Sequence, residues 1–187
     1  MREEKIDRRV RKTKATLLHS LTELMSKKKI SEITVKELTD LADVNRSTFY
    51  LYYKDIFDMV EQIENEMLED FNDAFDEFSK DANNYSNFLS FYTHIFEYVQ
   101  DNGEMCKILL GPDGDYSFIE KFKKAIIQKK PPFGETIPKI KIHFVRPFLI
   151  SGCIGVLQQW LKDDLNVPPK EMALIVSDII QSITKNL

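Results

Sequence analysis

Apolar residues recur at three- and four-residue spacing along nearly the whole chain, and no segment alternates with the period of two that a half-buried strand requires. The pattern predicts an all-α protein. A first helix over residues 9–28 carries Leu17, Leu18, Leu21, Leu24 and Met25 as its buried stripe. Thr34 has Glu37 three residues on, the spacing of a capping box. Val35, Leu38, Leu41 and Ala42 give the short helix behind it one apolar face. Asp43-Val44-Asn45 then breaks the pattern with residues that tolerate left-handed backbone and bond their own chain. Asn45 is a suitable N-cap for a helix over residues 46–53.

Further helices are predicted over residues 55–79, 86–100, 104–110 and 116–130. Asp101-Asn102-Gly103, Gly111-Pro112-Asp113-Gly114 and Pro131-Pro132 punctuate them. Phe57, Val60, Met67, Phe71, Phe75 and Phe78 line one side of the first of these, and its carboxylates read as a solvated face. The last two helices, over 138–163 and 169–186, differ in character. The final one has a stripe of Met172, Ile175, Val176, Ile179, Ile180 and Ile183. The penultimate one is apolar almost all round from Phe148 to Leu161, with Ser151, Gly152 and Gly155 small enough to admit a close neighbour. Such a helix must be covered on more than one side. One chain offers too few partners, so a symmetric four-helix interface between two copies is expected. The alternative is a core helix within one chain.

Residues 33–54, ITVKELTDLADVNRSTFYLYYK, form two short helices about a polar turn, the layout of a DNA-reading helix-turn-helix. At ~100° per residue, Phe49 and Tyr53 share the inner face of the second helix. Ser47, Leu51 and Lys54 lie opposite, flanked by Arg46 with Tyr50 and by Thr48 with Tyr52. Hydroxyls and amines suit phosphates, Arg46 near the helix start suits a guanine edge, and Leu51 suits a thymine methyl. The plainer reading is a tyrosine-rich helix of an ordinary bundle.

From residue 9 to about residue 60 the chain resembles the DNA-binding domain of the TetR-type bacterial transcriptional regulators. The likeness rests on Glu23-Leu24-Met25, Thr34-Val35, Thr48-Phe49-Tyr50 and Tyr52-Tyr53, and it covers about a quarter of the chain. It implies that Thr34 caps its helix and touches a phosphate, and that Arg46 and Ser47 face the bases. Thr48, Tyr50 and Tyr52 would then hold phosphates, and Phe49 and Tyr53 would be core. Three positions depart from the family pattern. Asp43 and Lys29 replace common glycines, and Ile56 replaces a common lysine, leaving that phosphate contact absent or to Lys54. The resemblance also implies a homodimer through the last two helices, a double-stranded DNA operator and an effector pocket in the body. LLGPDGD and FLISGCIGVLQQWL loosely resemble a subgroup that includes an activator of dihydroxyacetone-kinase operons, which works through a protein co-activator.

A net charge of −4 argues against a nucleic-acid partner until it is divided along the chain. Residues 1–60 hold 13 Lys and Arg against 10 Asp and Glu, and residues 61–187 hold 13 against 20. A positive head on an acidic body is what a duplex selects, because only the head neutralises phosphates. Cys106 and Cys153 are far apart, form no C-x-x-C and fit a reduced cytoplasmic setting. The charged N-terminus carries no secretory signal. The longest uncharged run, residues 147–161, falls short of the ~18–20 residues that span a bilayer, so no membrane segment is expected.

The three histidines, His19, His94 and His143, are scattered, and the glycine-rich turn has no phosphate-cradle spacing. No catalytic residue, metal site or cofactor is expected, and the chain reads as no enzyme. The body is rich in aromatics, among them Phe88, Phe96, Phe118 and Trp160. Candidate pocket residues are Phe91, Tyr92, His94, Phe122, His143, Phe144 and Phe148, with Arg146 and Gln158 as further polar groups. For each of them, packing or surface is the plainer reading.

The expected architecture is therefore all-α. A three-helix helix-turn-helix DNA-binding domain spans residues 1–54, and a helical dimerisation and effector-binding domain spans residues 55–187. The expected function is dimeric, sequence-specific transcriptional regulation under a small-molecule effector. The alternatives are control by a protein co-activator, or a helical protein-interaction module that binds no DNA.

Overall fold

A computed structural model describes residues 2–78, 85–111, 116–129 and 138–184. They form α1 (Arg2–Met25), a 3-10 turn (Ile30–Glu32), α2 (Val35–Leu41), α3 (Arg46–Phe49) and α4 (Ile56–Phe78). There follow α5 (Tyr85–Asp101), α6 (Gly103–Leu110), α7 (Tyr116–Gln128), α8 (Lys139–Lys162) and α9 (Pro169–Thr184). No strand occurs among the described residues. The breaks expected at Pro112-Asp113-Gly114 and Pro131-Pro132, and the side chains of Phe78 and Phe88, lie outside them. The chain divides into two compact units, Met1–Asn65 and Glu66–Leu187.

In the first unit, local polar chemistry sets the helix starts. The Thr34 hydroxyl accepts from the Glu37 amide at 3.2 Å, and the Glu37 carboxylate accepts from the Thr34 amide at 3.0 Å. That reciprocal pair satisfies orphan donors at the start of α2. The Lys28 ammonium donates to the same carboxylate at 2.6 Å. Asn45 caps α3, its side-chain oxygen accepting from the Ser47 amide at 2.9 Å. Asp55 does likewise for α4, accepting from the Asp58 amide at 2.8 Å. Between α2 and α3 the backbone of Asp43 is left-handed (φ 49°), which lets the Val44 amide reach the Thr39 carbonyl at 3.0 Å. This is where the family pattern favours glycine, and Asp is among the few side chains that tolerate the conformation.

Leu17, Leu21, Leu38 and Phe49 are fully buried in this unit, joined by Ala42, Tyr53, Ile56, Met59 and Ile63. Of the expected stripes, Leu18, Leu24, Met25 and Val35 are half-buried, and two residues are exposed. Leu41 ends α2 facing outward while Leu38 and Ala42 turn in, and Phe57 is 60 % exposed. Ile56, Met59, Val60 and Ile63 set the inner face of α4, which leaves Phe57 pointing about 100° away. The expected 46–53 helix is also shorter. Regular α-helix ends at Phe49, and the chain continues in tight turns, the Tyr52 amide bonding the Phe49 carbonyl at 2.9 Å. Phe49 and Tyr53 still share the inner side, the Tyr53 amide bonding the Phe49 carbonyl at 3.0 Å, and their rings meet at 5.5 Å.

In the second unit α5 packs along α9, and α8 packs against α6 and α7. The α8–α9 corner is held by backbone and side chain together. Asp164 and Leu165 are both left-handed, and the Leu165 amide bonds the Trp160 carbonyl at 3.0 Å. The Trp160 indole donates to the Val167 carbonyl at 3.0 Å, and its ring meets Phe96 at 5.3 Å. Lys107 of α6 pairs with Asp164 at 2.9 Å. A Cβ at Gly103 would sit 3.2 Å from the end of the Leu165 side chain, a close approach that glycine relieves.

Two stability measurements test the first unit. Asp43→Val should cost about 1–2 kcal/mol in urea denaturation, because a branched side chain resists left-handed backbone; Asp43→Gly should stay within about 1 kcal/mol of the parent. The second concerns acid. Bonds from Lys28 and then Thr34 hold the Glu37 carboxyl down to about 2 from its ordinary 4.5. Its folded value lies below its unfolded one, so its stabilisation is complete above pH 4.5 and is lost as pH falls towards 2. Glu37→Gln should flatten that part of the melting-temperature profile.

Candidate nucleic-acid interface and apolar cavity

Around α3 the buried and exposed residues segregate sharply. Phe49 is 0 % exposed, whereas Tyr50 is 57 % and Leu51 75 % exposed, with Arg46, Ser47 and Lys54 also outward. Thr48 and Tyr52 are half-buried. The fold thus brings Arg46, Ser47, Thr48, Tyr50, Tyr52 and Lys54 onto one short segment whose inner side is locked by Phe49 and Tyr53. Two hydroxyls carry internal duties. Ser47 donates to the Asn45 side chain at 2.8 Å, and Thr34 donates to Glu37 at 2.8 Å. The Lys54 ammonium stands 4.0 Å from Asp58, whose carboxylate also accepts from the Lys54 amide at 2.8 Å. Ile56, where the family pattern has lysine, is buried.

The second unit holds a partly open cavity of about 120 Å³. A single water needs roughly 10–15 Å³ of such space, so there is room for a small molecule. Phe71 and Phe75 of α4, Phe91, Tyr92 and Ile95 of α5, and Phe122 and Ile126 of α7 form part of its wall. Helices α8 and α9 complete it with Arg146, Leu149, Ile150, Cys153, Leu157, Val176 and Ile180. Phe71 is central to the aromatic cluster, with Phe122 at 5.0 Å and Phe75 at 6.1 Å. Burial and the Tyr92 hydrogen bond act on Cys153, with burial dominant, and its thiol is pushed up to about 11. Burial alone pushes Cys106 up to about 12.

Of the expected pocket residues, Phe91, Tyr92 and Phe122 line the cavity and the other four do not. His94 is exposed and borders a smaller space of about 30 Å³ with Asp70, Tyr98 and Cys106. His143, Phe144 and Phe148 lie on the outward face of α8, the two phenylalanines 66 % and 65 % exposed. The cavity face of the same helix is the 146-149-150-153-154-157 series, and Gln158 is not part of it. That helical spacing was present in the sequence, but a helix apolar all round gives no sign of which side turns inward. The final helix divides in the same way. Met172, Val176 and Ile180 are buried, while Leu174, Ile175 and Ile179 are exposed. The expected single stripe is in fact two. At Gly152 and Gly155 an added side chain would meet nothing within 4 Å.

Length and apolar composition make residues 140–162 long enough to cross a bilayer, a longer stretch than the uncharged run because Arg146 falls within it. One side of that stretch is occupied by the cavity and its walls. Among the described residues no group of three or more His, Cys, Asp or Glu has metal-binding geometry.

A family model described as a transcriptional regulator C-terminal region, of TetR type, matches residues 86–182, just over half of the chain. The HTH-type transcriptional regulator YxbF of Bacillus subtilis (strain 168), itself uncharacterized, is 36 % identical over 53 residues. That segment is 28 % of this chain and spans only 14 % of YxbF. Among solved structures, a TetR transcriptional regulator from Streptococcus agalactiae 2603V is similar with a TM-score of 0.57 at 22 % identity, covering 95 % of this chain and 98 % of that one. The dihydroxyacetone kinase operon activator DhaS gives 0.56 at 12 % identity, covering 94 % and 97 %. FadR from Bacillus subtilis, in complex with stearoyl-CoA, gives 0.59 at 12 % identity, covering 88 % and 96 %. At these identities the likeness to solved structures is one of fold, and the family match carries the assignment: the chain belongs to the TetR-type transcriptional regulators.

Proposed function

We propose that this regulator works as a cytoplasmic homodimer that binds a near-palindromic DNA operator through its first unit and is released or engaged by a small, largely apolar effector in its second. The observation that carries the DNA reading is the segregation around α3. A fully buried Phe49 holds a segment whose Arg46, Ser47, Tyr50 and Leu51 are all exposed. Exposed Tyr50 and Leu51 side by side are costly in water and useful against a duplex, where a phenol reaches phosphate and an aliphatic group meets a thymine methyl. Arg46 and Ser47 are the proposed base-reading residues. Thr48, Tyr50, Tyr52 and Lys54 are proposed to hold phosphates. Thr34, with its hydroxyl engaged by Glu37, contributes chiefly by fixing the start of α2.

Dimerisation is supported by the outward faces of α8 and α9. Ile140, Phe144, Phe148, Leu174, Ile175 and Ile179 are all exposed on one chain, more apolar surface than a monomer leaves in water. A second copy covers identical faces with identical faces, as an isologous interface requires. The two recognition segments then meet half-sites about one duplex turn apart, ~34 Å, or a multiple of it. Control is supported by the cavity. An effector that fits it in one dimer geometry better than another shifts the population between DNA-competent and incompetent forms. Helix α4 supplies Ile56, Met59 and Ile63 to the core of the first unit and Phe71 and Phe75 to the cavity wall, so it is the proposed carrier of that coupling.

The DNA reading is tested by selecting bound duplexes from a random pool and measuring affinity for the winning sequence across salt concentrations. Arg46→Ala should cost about 1–3 kcal/mol and relax specificity at one base pair; unchanged binding would reassign the reading residue, and no binding at low salt would favour a protein-interaction module. The dimer is tested by sedimentation of the Gly155→Glu, Ile179→Glu double variant. Open space at Gly155 means the monomer tolerates the change, so the expected result is folded monomers. A persisting dimer would place the interface elsewhere.

A further inference from the structure

Among the described residues the cavity wall has polar side chains at three places, and two of them are engaged with each other. Tyr92 and Cys153 are hydrogen-bonded together. The third is Arg146. Its guanidinium donates from Nη2 to the Ile126 carbonyl at 3.1 Å and to the Lys129 carbonyl, at and just past the end of α7. Those contacts use one nitrogen of a group with five donors. Among the described residues Arg146 has no carboxylate partner. Lys129, whose carbonyl Arg146 bonds, is itself a cation. The Lys129 ammonium lies 5.6 Å from the ring of Phe75, a wall residue, and pairs with Asp76 at 2.7 Å.

We propose that the effector is a single-chain anionic amphiphile. Its hydrocarbon chain lies among the phenylalanines and leucines, and its acidic head is held by Arg146 with Lys129 beside it. This rests on the reading of the cavity as the effector site. Apolar walls recognise a chain but cannot orient it. Arg146, a wall cation with no carboxylate partner among the described residues, fixes which end enters last, and its partial burial makes a charge-assisted bond stronger than at an open surface. Neutral and cationic amphiphiles of equal length lose that bond, and the cationic one also meets repulsion. The head is either a free carboxylate or the phosphate-bearing part of an acyl-CoA thioester. Both share the chain and the negative charge.

The test is calorimetric titration of the full chain with saturated C8–C16 carboxylates, with the matching alcohols and amines, and with the matching acyl-CoA thioesters. A carboxylate or thioester should bind about tenfold or more tightly than the alcohol of equal length, with the amine weakest. Arg146→Gln keeps a donor for the α7 carbonyls and removes the charge. It should bring the anion down to the alcohol's affinity while leaving the alcohol unchanged, and Arg146→Lys should restore part of the preference. Preference for carboxylate over thioester, or the reverse, identifies the source of the head. Equal binding of acid, alcohol and amine by the parent would overturn the proposal and leave the cavity reading intact, with no variant needed. Binding of none of them would overturn both. The parent comparison decides the matter even if Arg146→Gln fails to fold.

Discussion

Helix α8 has apolar residues on opposite faces, and the second unit is organised around that fact. Its 146-149-150-153-154-157 series faces inward and walls a cavity with α4, α5, α7 and α9. Its Ile140, Phe144 and Phe148 face outward at four-residue spacing and continue into Ser151, Gly152 and Gly155. A helix of this kind cannot be satisfied by one neighbour. The inward face takes aromatic rings and, in our reading, a ligand. The outward face, in the same reading, takes a second copy. Pro147 sits within the helix on its exposed side, where the lost backbone bond leaves the cavity wall intact.

In the first unit, the constraint is the placement of two aromatic rings. Phe49 and Tyr53 are four apart and both buried, so they anchor the inner side of the segment. Its other side leaves Arg46, Ser47, Tyr50 and Leu51 exposed. Capping completes the arrangement. Asn45 holds the α3 start, Asp55 the α4 start, and the Thr34–Glu37 pair with Lys28 the α2 start. In the proposed reading, side chains on a capped backbone lose less entropy on meeting a duplex. The positive balance of residues 1–60 would supply the long-range attraction, and the acidic remainder would be repelled by phosphates.

Much of this was legible residue by residue. Thr34 and Glu37 announced the capping box, Asp43 the left-handed turn, and Asn45 the next cap, because each acts through bonds within four residues of itself. Phe49 and Tyr53 were assigned to the core from angular position alone, and both are buried. Leu41 and Phe57 were misplaced because apolar character is necessary for burial but does not cause it. His143, Phe144 and Phe148 were misplaced for a related reason. In a helix apolar on every side, the hydrophobic pattern carries no direction, and only contacts with α6 and α7 fix the rotation.

By itself, then, the sequence determined whatever is local: helix content, caps, turn chemistry, the charge asymmetry, and the family likeness that the C-terminal match establishes. Tertiary structure decided whatever depends on residues far apart in the chain meeting in space. It turned one side of α8 into a cavity wall, split the α9 stripe into an inner and an outer row, and set Arg146 against the end of α7. The physical reason is that a cap or a turn is closed by neighbours in sequence, whereas a cavity is the space left when several helices pack, and no single helix encodes its shape.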